Sequence, residues 1–257
     1  MKKLKLMLLV VAAFITTTMT SCLGDGEADE IVYFGAMTIK QSGNTMEPIY
    51  FYASNGAIFV PQNLTNETTL AYLMTGRRGF IKFSSKDDLS VTEAGKKYYV
   101  DFLECTPMYD AKNIESLDTL MSVVEKNDSI TQLTQVWVDP GFVNINITAP
   151  YKYDVNPKMN LAFNKNIDVV DDTLKLHLLY DYNISDDDKT NMSADMTLSF
   201  GIYNDQELKA KFADRDSIIV CVDARVSSTA GKKVDNTFAT TKKLTFKASS
   251  KCFNLPY

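Results

Sequence analysis

The sequence predicts an all-β protein of two units, and three observations predict it. Apolar and polar residues alternate along most of the chain beyond residue 30, which is the period of a half-buried strand. The alternating runs are short, evenly spaced and separated by turn residues, a pattern of sandwiches and barrels rather than of parallel α/β sheets. One stretch, Tyr109 to Asp128, abandons the alternation and divides the chain.

Ahead of the strands, Lys2, Lys3 and Lys5 precede an apolar run from Leu6 to Ile15. That run is shorter than the roughly 20 residues a membrane-spanning helix needs. Small and hydroxylated residues follow, so residues 1–21 read as a secretory signal peptide. Met19-Thr20-Ser21-Cys22 resembles a bacterial lipobox. The resemblance implies cleavage before Cys22, a diacylglycerol thioether on its sulfur and acyl chains such as palmitate. Gly24 to Glu30 holds acids and no large hydrophobic residue, so residues 22–30 are expected to form an acidic flexible tether. The acids also resemble the export tags of Bacteroidetes surface lipoproteins. The expected location is the cell envelope, as an outer-membrane lipoprotein that is periplasmic or surface-exposed.

The first unit is expected over residues 31–108. Its strands are Ile31–Phe34, Pro48–Ala53, Ala57–Val60 after the turn Ser54-Asn55-Gly56, Gly79–Ser84 and Lys97–Leu103. Asn66 is placed to cap a short helix, although the threonines and tyrosine that follow leave that segment open. In the connector, residues 109–128, Ile114, Leu117, Leu120, Met121 and Val124 fall at helical spacing. The second unit, residues 129–257, opens with Gln135–Val138, turns at Asp139-Pro140-Gly141 and returns as Phe142–Ile147. Leu174–Tyr180, Met196–Tyr203, Ser217–Val226 and Lys243–Lys247 complete it. The chain carries no internal repeat.

Gly76-Arg77-Arg78-Gly79-Phe80-Ile81-Lys82-Phe83, Lys97 to Leu103 and Gly141 to Ile147 together resemble the NigD-like lipoproteins of Bacteroidetes. Asp172 to Leu178 and Asp195 to Phe200 continue the likeness in order. The resemblance implies a small N-terminal OB-like barrel followed by a C-terminal β-sandwich, behind a lipoprotein signal. That family is named from a bacteriocin-associated operon, which implies an immunity role and transfers no site residue.

Composition excludes several function classes. The formal charge is −5, and removing residues 1–21 takes away three lysines and no acid, leaving −8. A nucleic-acid partner is not expected, because phosphate binding wants a basic face. Metals and cofactors are not expected either: the four cysteines and one histidine show no zinc-ligand spacing, and phosphate-loop, dinucleotide and metalloprotease motifs are absent. His177 alternates with leucines and shares a face with Lys175 and Asp181, so it reads as an outward strand residue. No nucleophile elbow accompanies it. Asp171-Asp172 and Asp186-Asp187-Asp188 sit in polar loops, where water keeps carboxylates ionised, unlike the buried pair a glycosidase needs. No catalytic residue is expected, and the protein reads as a non-enzyme.

The expected function is therefore binding or protection by a lipid-anchored envelope protein, held to the membrane through its N-terminal lipid. Its partner would be an envelope protein or a polysaccharide. The alternative is a surface glycan-binding lipoprotein that stacks sugars on exposed rings, with Tyr50, Phe51, Tyr52, Tyr98, Tyr99, Tyr151 and Tyr153 as sources. One ring of each adjacent pair must face the core. Trp137 serves as either core or platform. An aspartate followed by Ser or Thr and an apolar residue recurs at Thr119, Ser129, Thr173 and Ser217. It resembles the O-glycosylation acceptor motif of Bacteroidetes envelopes, although turns before strands favour the same residues. With Cys22 lipidated, Cys105, Cys221 and Cys252 remain, and an odd count cannot all pair. Cys221 with Cys252 is the candidate disulfide, which would pin the tail to a strand. Three unpaired thiols are the rival reading.

Overall fold

The computed structural model describes residues 30–41, 49–64, 78–109, 114–116, 128–152, 157–182, 192–227 and 240–253, apart from the side chains of Gln41, Ser250 and Cys252. The chain is all-β and divides into two compact units at Pro107 and Met108. The expected signal peptide, the expected tether except Glu30, Asn66 with the segment after it, and Asp186 to Asp188 lie outside the described residues.

The first unit is a closed barrel of β1 (Ile31–Gln41), β2 (Ile49–Ala53), β3 (Ile58–Pro61), β4 (Arg78–Ser85) and β5 (Lys97–Pro107), in the order β1-β2-β3-β5-β4. Every pair is antiparallel except β3 with β5. Alternation sends Tyr33, Met37 and Ile39, Phe51, Phe59, Ile81 and Phe83, and Val100 into one core. The Phe59 and Phe83 rings lie 4.8 Å apart and Tyr33 stacks on Phe83 at 5.6 Å. Burying a ring of this size stabilises by roughly 1.5–3 kcal/mol.

Three local devices close the barrel. Gly56, at φ +84°, turns β2 into β3, a conformation that favours glycine. Asn55 Oδ1 accepts from Ala57 N at 3.0 Å in the same turn. In β5 the register slips beside Lys82 and Phe83, whose partners are Glu104 and Phe102. Leu103 is left as a bulge residue, and a bulge bends a strand as closure demands. Across that seam a Cβ on Gly79 would meet Cys105 Sγ at 2.8 Å, so the position has no room for a side chain.

The second unit is a sandwich. One sheet runs β14 (Thr240–Ser249), β13 (Ser217–Val226), β11 (Thr173–Asp181), β9 (Lys158–Phe163), β6 (Glu115–Ser116), with β10 (Val169–Val170) also on β11. The other runs β12 (Ser193–Gly201), β8 (Phe142–Pro150), β7 (Gln132–Asp139). Leu174, Leu176, Leu178, Val220 and Val222 from the first sheet share a core with Val143, Ile145, Ile147, Leu198 and Phe200 from the second. Strands β11 and β13 are parallel, so the chain between them must cross over. It does so through β12 and α1 (Gln206–Lys211), which Asp205 caps by accepting from Leu208 N at 3.0 Å.

The expected connector behaves differently where it is described. Tyr109 N donates to Thr197 O at 3.1 Å and Ile114 N to Gly201 O at 3.2 Å. Glu115 and Ser116 pair with β9, and Asp128 N donates to Tyr180 O at 2.7 Å. These residues belong to the sandwich, because their backbone groups find partners at its edges. Residues 117–127, which hold most of the helical spacing, lie outside the described residues. Among the described residues no helix is long and apolar enough to cross a membrane.

Candidate functional site

Two outward faces carry chemistry, one on each unit. On the sandwich, β11 points Lys175 and His177 away from the core, between core-facing Leu174, Leu176 and Leu178. The parallel register sets Asp223 of β13 opposite His177. The turn before β10 brings up Asp168, which is only 4% exposed. His177 Nδ1 lies 2.7 Å from Asp223 Oδ1 and Nε2 lies 3.0 Å from Asp168 Oδ2. Asp168 Oδ2 also accepts from Asn164 N at 2.8 Å, and Lys175 Nζ stands 3.9 Å from Asp168 Oδ1. An imidazole donates from both nitrogens only when protonated. The arrangement therefore favours an imidazolium between two carboxylates. The bond to Asp223 foremost, with the charges of both aspartates, raises the His177 pKa above its usual value, against an opposing effect of burial.

The other sandwich sheet carries side-chain hydrogen bonds on its outer side. Asn144, fully buried, donates to Asp139 Oδ2 at 3.0 Å and accepts from Ser199 Oγ at 2.8 Å. Farther along, Thr197 Oγ1 donates to Asn146 and Asn146 donates to Gln135, at 2.9 and 3.3 Å. Trp137 is half-buried and donates its indole N–H to Asp139 at 3.3 Å, so it is part of this polar network.

The barrel face is built from other material. Strands β1, β2, β3 and β5 point Lys40, Tyr50, Tyr52, Ile58, Lys97 and Tyr99 outward. Register sets Lys40 opposite Tyr50, Tyr52 opposite Ile58, Ile58 opposite Lys97 and Val60 opposite Tyr99. Lys97 Nζ sits 4.9 Å from the Tyr50 ring centroid and Lys40 Nζ 5.9 Å from that of Tyr52. Tyr50 meets Tyr52 edge to face at 6.5 Å, and Tyr99 is 61% exposed. Desolvation, with Tyr50 beside it, raises the pKa of Tyr52.

The other residues singled out from the sequence scatter. Cys22, Thr119 and Tyr153 lie outside the described residues. Ser129 is 0% exposed, so its hydroxyl is closed to modification of the folded chain. Thr173 and Ser217 are half-buried at strand starts. Phe51 is core, Tyr98 packs against the core and Tyr151 is half-buried. Asp171 turns the β10–β11 hairpin at φ +52°, which Asp tolerates. Asp172 pairs with Arg215 at 3.0 Å. Cys105 and Cys221 are free thiols.

The expected bridge from Cys221 to Cys252 meets a geometric obstacle. Cys221 pairs with Thr245 in the middle of β14, and that pairing ends at Ser249 opposite Ser217. Four strand residues span roughly 13 Å, and Cys252 follows only in the 3₁₀ turn Ser250–Phe253. Bridged cysteines need Cα atoms within about 7 Å.

His177 was legible as an outward residue, but Asp168 and Asp223 as its partners were not. Asp223 becomes its neighbour only through a parallel pairing of distant segments. The lysines beside the tyrosines had no signal in the sequence at all.

No family model matches the chain, and no curated protein matches it. Solved structures do resemble it. A putative toxin-related protein from Parabacteroides distasonis is 12% identical, with a TM-score of 0.61 over 86% of this chain and 95% of its own. A protein of unknown function from Bacteroides vulgatus is 18% identical, with a TM-score of 0.55 over 85% of this chain and 90% of its own. A NigD-like immunity protein from Bacteroides caccae is 12% identical, with a TM-score of 0.52 over 82% of this chain and 90% of its own. The NigD-like resemblance read from the sequence is met at the level of the fold.

Proposed function

We propose that the chain is a lipid-anchored envelope protein that acts by binding, in a protective role of the immunity kind, and not by catalysis. The observation that carries this reading is the state of its one histidine. A general base must offer a ring nitrogen to the proton it removes. Both nitrogens of His177 already face carboxylates, at 2.7 and 3.0 Å. Among the described residues, no serine or cysteine side chain hydrogen-bonds to that ring. The likeness in fold to a NigD-like immunity protein and a putative toxin-related protein supports protection, and the residues around Cys22 support the anchor.

Anchoring is tested with Cys22→Ala, which should accumulate as uncleaved precursor and lose incorporation of a fatty-acid probe. Normal processing and membrane retention of that variant would overturn the anchor. Protection is tested by co-culturing a deletion strain with bacteriocin-producing strains of its own genus. The deletion strain should lose to at least one producer and recover on complementation. Equal survival of deleted and complemented strains against every producer would remove the protective role.

A further inference from the structure

On the outer face of the barrel over β2, β3 and β5, one ammonium group rests on an aromatic ring. Lys97 lies 4.9 Å from the Tyr50 ring centroid. Among the described residues no acid pairs with it, although its neighbour Lys96 pairs with Glu93 at 3.5 Å. In an acidic chain of net charge −5, an ammonium resting on a ring instead of an acid keeps its charge available outward. An exposed lysine–ring contact contributes only about 0.5–1 kcal/mol, little enough for the lysine to turn to a better partner.

The surroundings define that partner. Val60 pairs with Tyr99, and carrying the Phe51–Phe59 register one step on sets Tyr50 beside Val60, which places the two tyrosines about 10 Å apart. Val60, 8% exposed, lies between them, and Ile58 lies in the next row beside Lys97. Two flat rings across an apolar trough suit the ring faces of a short saccharide chain, and the phenol hydroxyls suit its edges. An ammonium with no acid beside it among the described residues calls for an anion on that saccharide, since a charge-assisted bond to a carboxylate is the strongest contact Lys97 can make. An oligonucleotide, which also stacks on rings, needs a basic track along its phosphates, and the two lysines of this face, Lys40 and Lys97 on separate strands, do not provide it. OB-type barrels take ligands on this β2–β3 side.

We infer that this face binds an acidic oligosaccharide, with Tyr50 and Tyr99 stacking on sugar rings and Lys97 pairing with a uronic acid carboxylate. The inference rests on the binding role proposed above and names its ligand class.

The test is affinity electrophoresis of the full chain in detergent, through gels containing polygalacturonate, alginate or hyaluronate, with dextran as the neutral control. At least one acidic gel should retard the chain and dextran should not. Lys97→Gln and Tyr99→Ala should each weaken that retardation about tenfold, while Phe34→Ala, on the β1–β4 side, should leave it intact. Both site variants change exposed side chains and should melt as the parent does. Retardation in no acidic gel, equal retardation in dextran, or retardation unchanged in both variants overturns the site. The two readings fail separately. A chain that is unretarded yet protective and fatty-acid-labelled in cells loses the saccharide site and keeps the anchored role, and a retarded chain without label does the reverse.

Discussion

The barrel and the sandwich follow the same alternation, but the outward cations of β1 and β5 in the barrel meet different partners from the charged groups beside β11 in the sandwich. On the sandwich, charge meets charge: His177 with Asp168 and Asp223, Arg215 with Asp172, Lys175 with Asp168. On the barrel, Lys40 and Lys97 meet rings, and Phe34 and Tyr99 stand 42% and 61% exposed. A face whose polar groups are satisfied internally serves stability and has little left to offer a ligand. A face of exposed rings, with an ammonium that has no acid beside it among the described residues, adds little to stability and keeps its contacts for a partner.

The largest test of that contrast lies within the barrel itself. Phe83 is 1% exposed and touches the Tyr33 and Phe59 rings, so Phe83→Ala should cost about 3–5 kcal/mol by urea unfolding. Tyr99→Ala, on the outside, should stay within about 0.5 kcal/mol of the parent. Comparable losses would show that the outer face is structural and remove the distinction.

On the sandwich, Asp168 carries more than one partner, being bonded to His177 and Asn164 and near Lys175. Removing it strands an imidazolium and a buried backbone N–H, so Asp168→Ala should cost about 2–3 kcal/mol. Lys97→Gln on the barrel should cost less than about 0.5 kcal/mol. An Asp168→Ala variant as stable as the parent would mean that the charges on the sandwich are no more structural than those on the barrel.

A smaller effect reads the same site by pH. The groups facing His177 are Lys175 on its own strand, Asp223 on β13, Asp168 on the turn and, across Asp223, Lys243 of β14. The folded pKa of His177 is raised, chiefly by Asp223. Its contribution is therefore complete below the unfolded value of about 6.5 and is lost as pH rises through the folded value. The melting temperature should fall as pH rises above about 6.5, and that component should vanish in His177→Gln. An identical pH slope in the variant would show that His177 does not hold the proton the geometry assigns it.

Strand positions were legible from the sequence because side-chain period is a local property. β2, β3, β8, β11 and β13 fall where alternation put them, and the turns at Gly56 and Gly141 adopt the positive φ that their sequences require. β1 runs on to Gln41 through the weaker alternation of Ala36 to Lys40, and β9 was not read at all despite Met159, Leu161 and Phe163 pointing inward. What the sequence withheld depends on pairing. Which strand lies beside β11, and hence which acid meets His177, is set by a crossover of about 35 residues, from Asp181 to Ser217, that no local pattern encodes. The connector shows the same limit, since the groups that draw Tyr109 and Ile114 into the sandwich are backbone carbonyls of β12.

The smallest expected effect concerns the thiols, and it tests whether the sandwich needs a covalent tie at all. A Cys221–Cys252 bridge closing a loop of about thirty residues would stabilise by roughly 3–4 kcal/mol in the chain-entropy account. The register argues against it: Cys221 sits opposite Thr245, and Cys252 lies beyond the Ser217–Ser249 pair that ends the ladder. The tail has another means of attachment, because Phe253 is 2% exposed and stacks on Phe212 at 5.6 Å and 8°. Cys221 itself fits as a small apolar residue, its thiol pKa raised by burial first and by Asp223 next. Unreduced, denatured protein carrying Cys22→Ala should therefore titrate as three free thiols, and reductant should leave its melting temperature unchanged. Phe253→Ala should loosen the tail where Cys252→Ala does not. A count of one free thiol, with a melting temperature that falls on reduction, would mean that the sandwich is tied by a disulfide after all and that the β13–β14 register must shift to allow it.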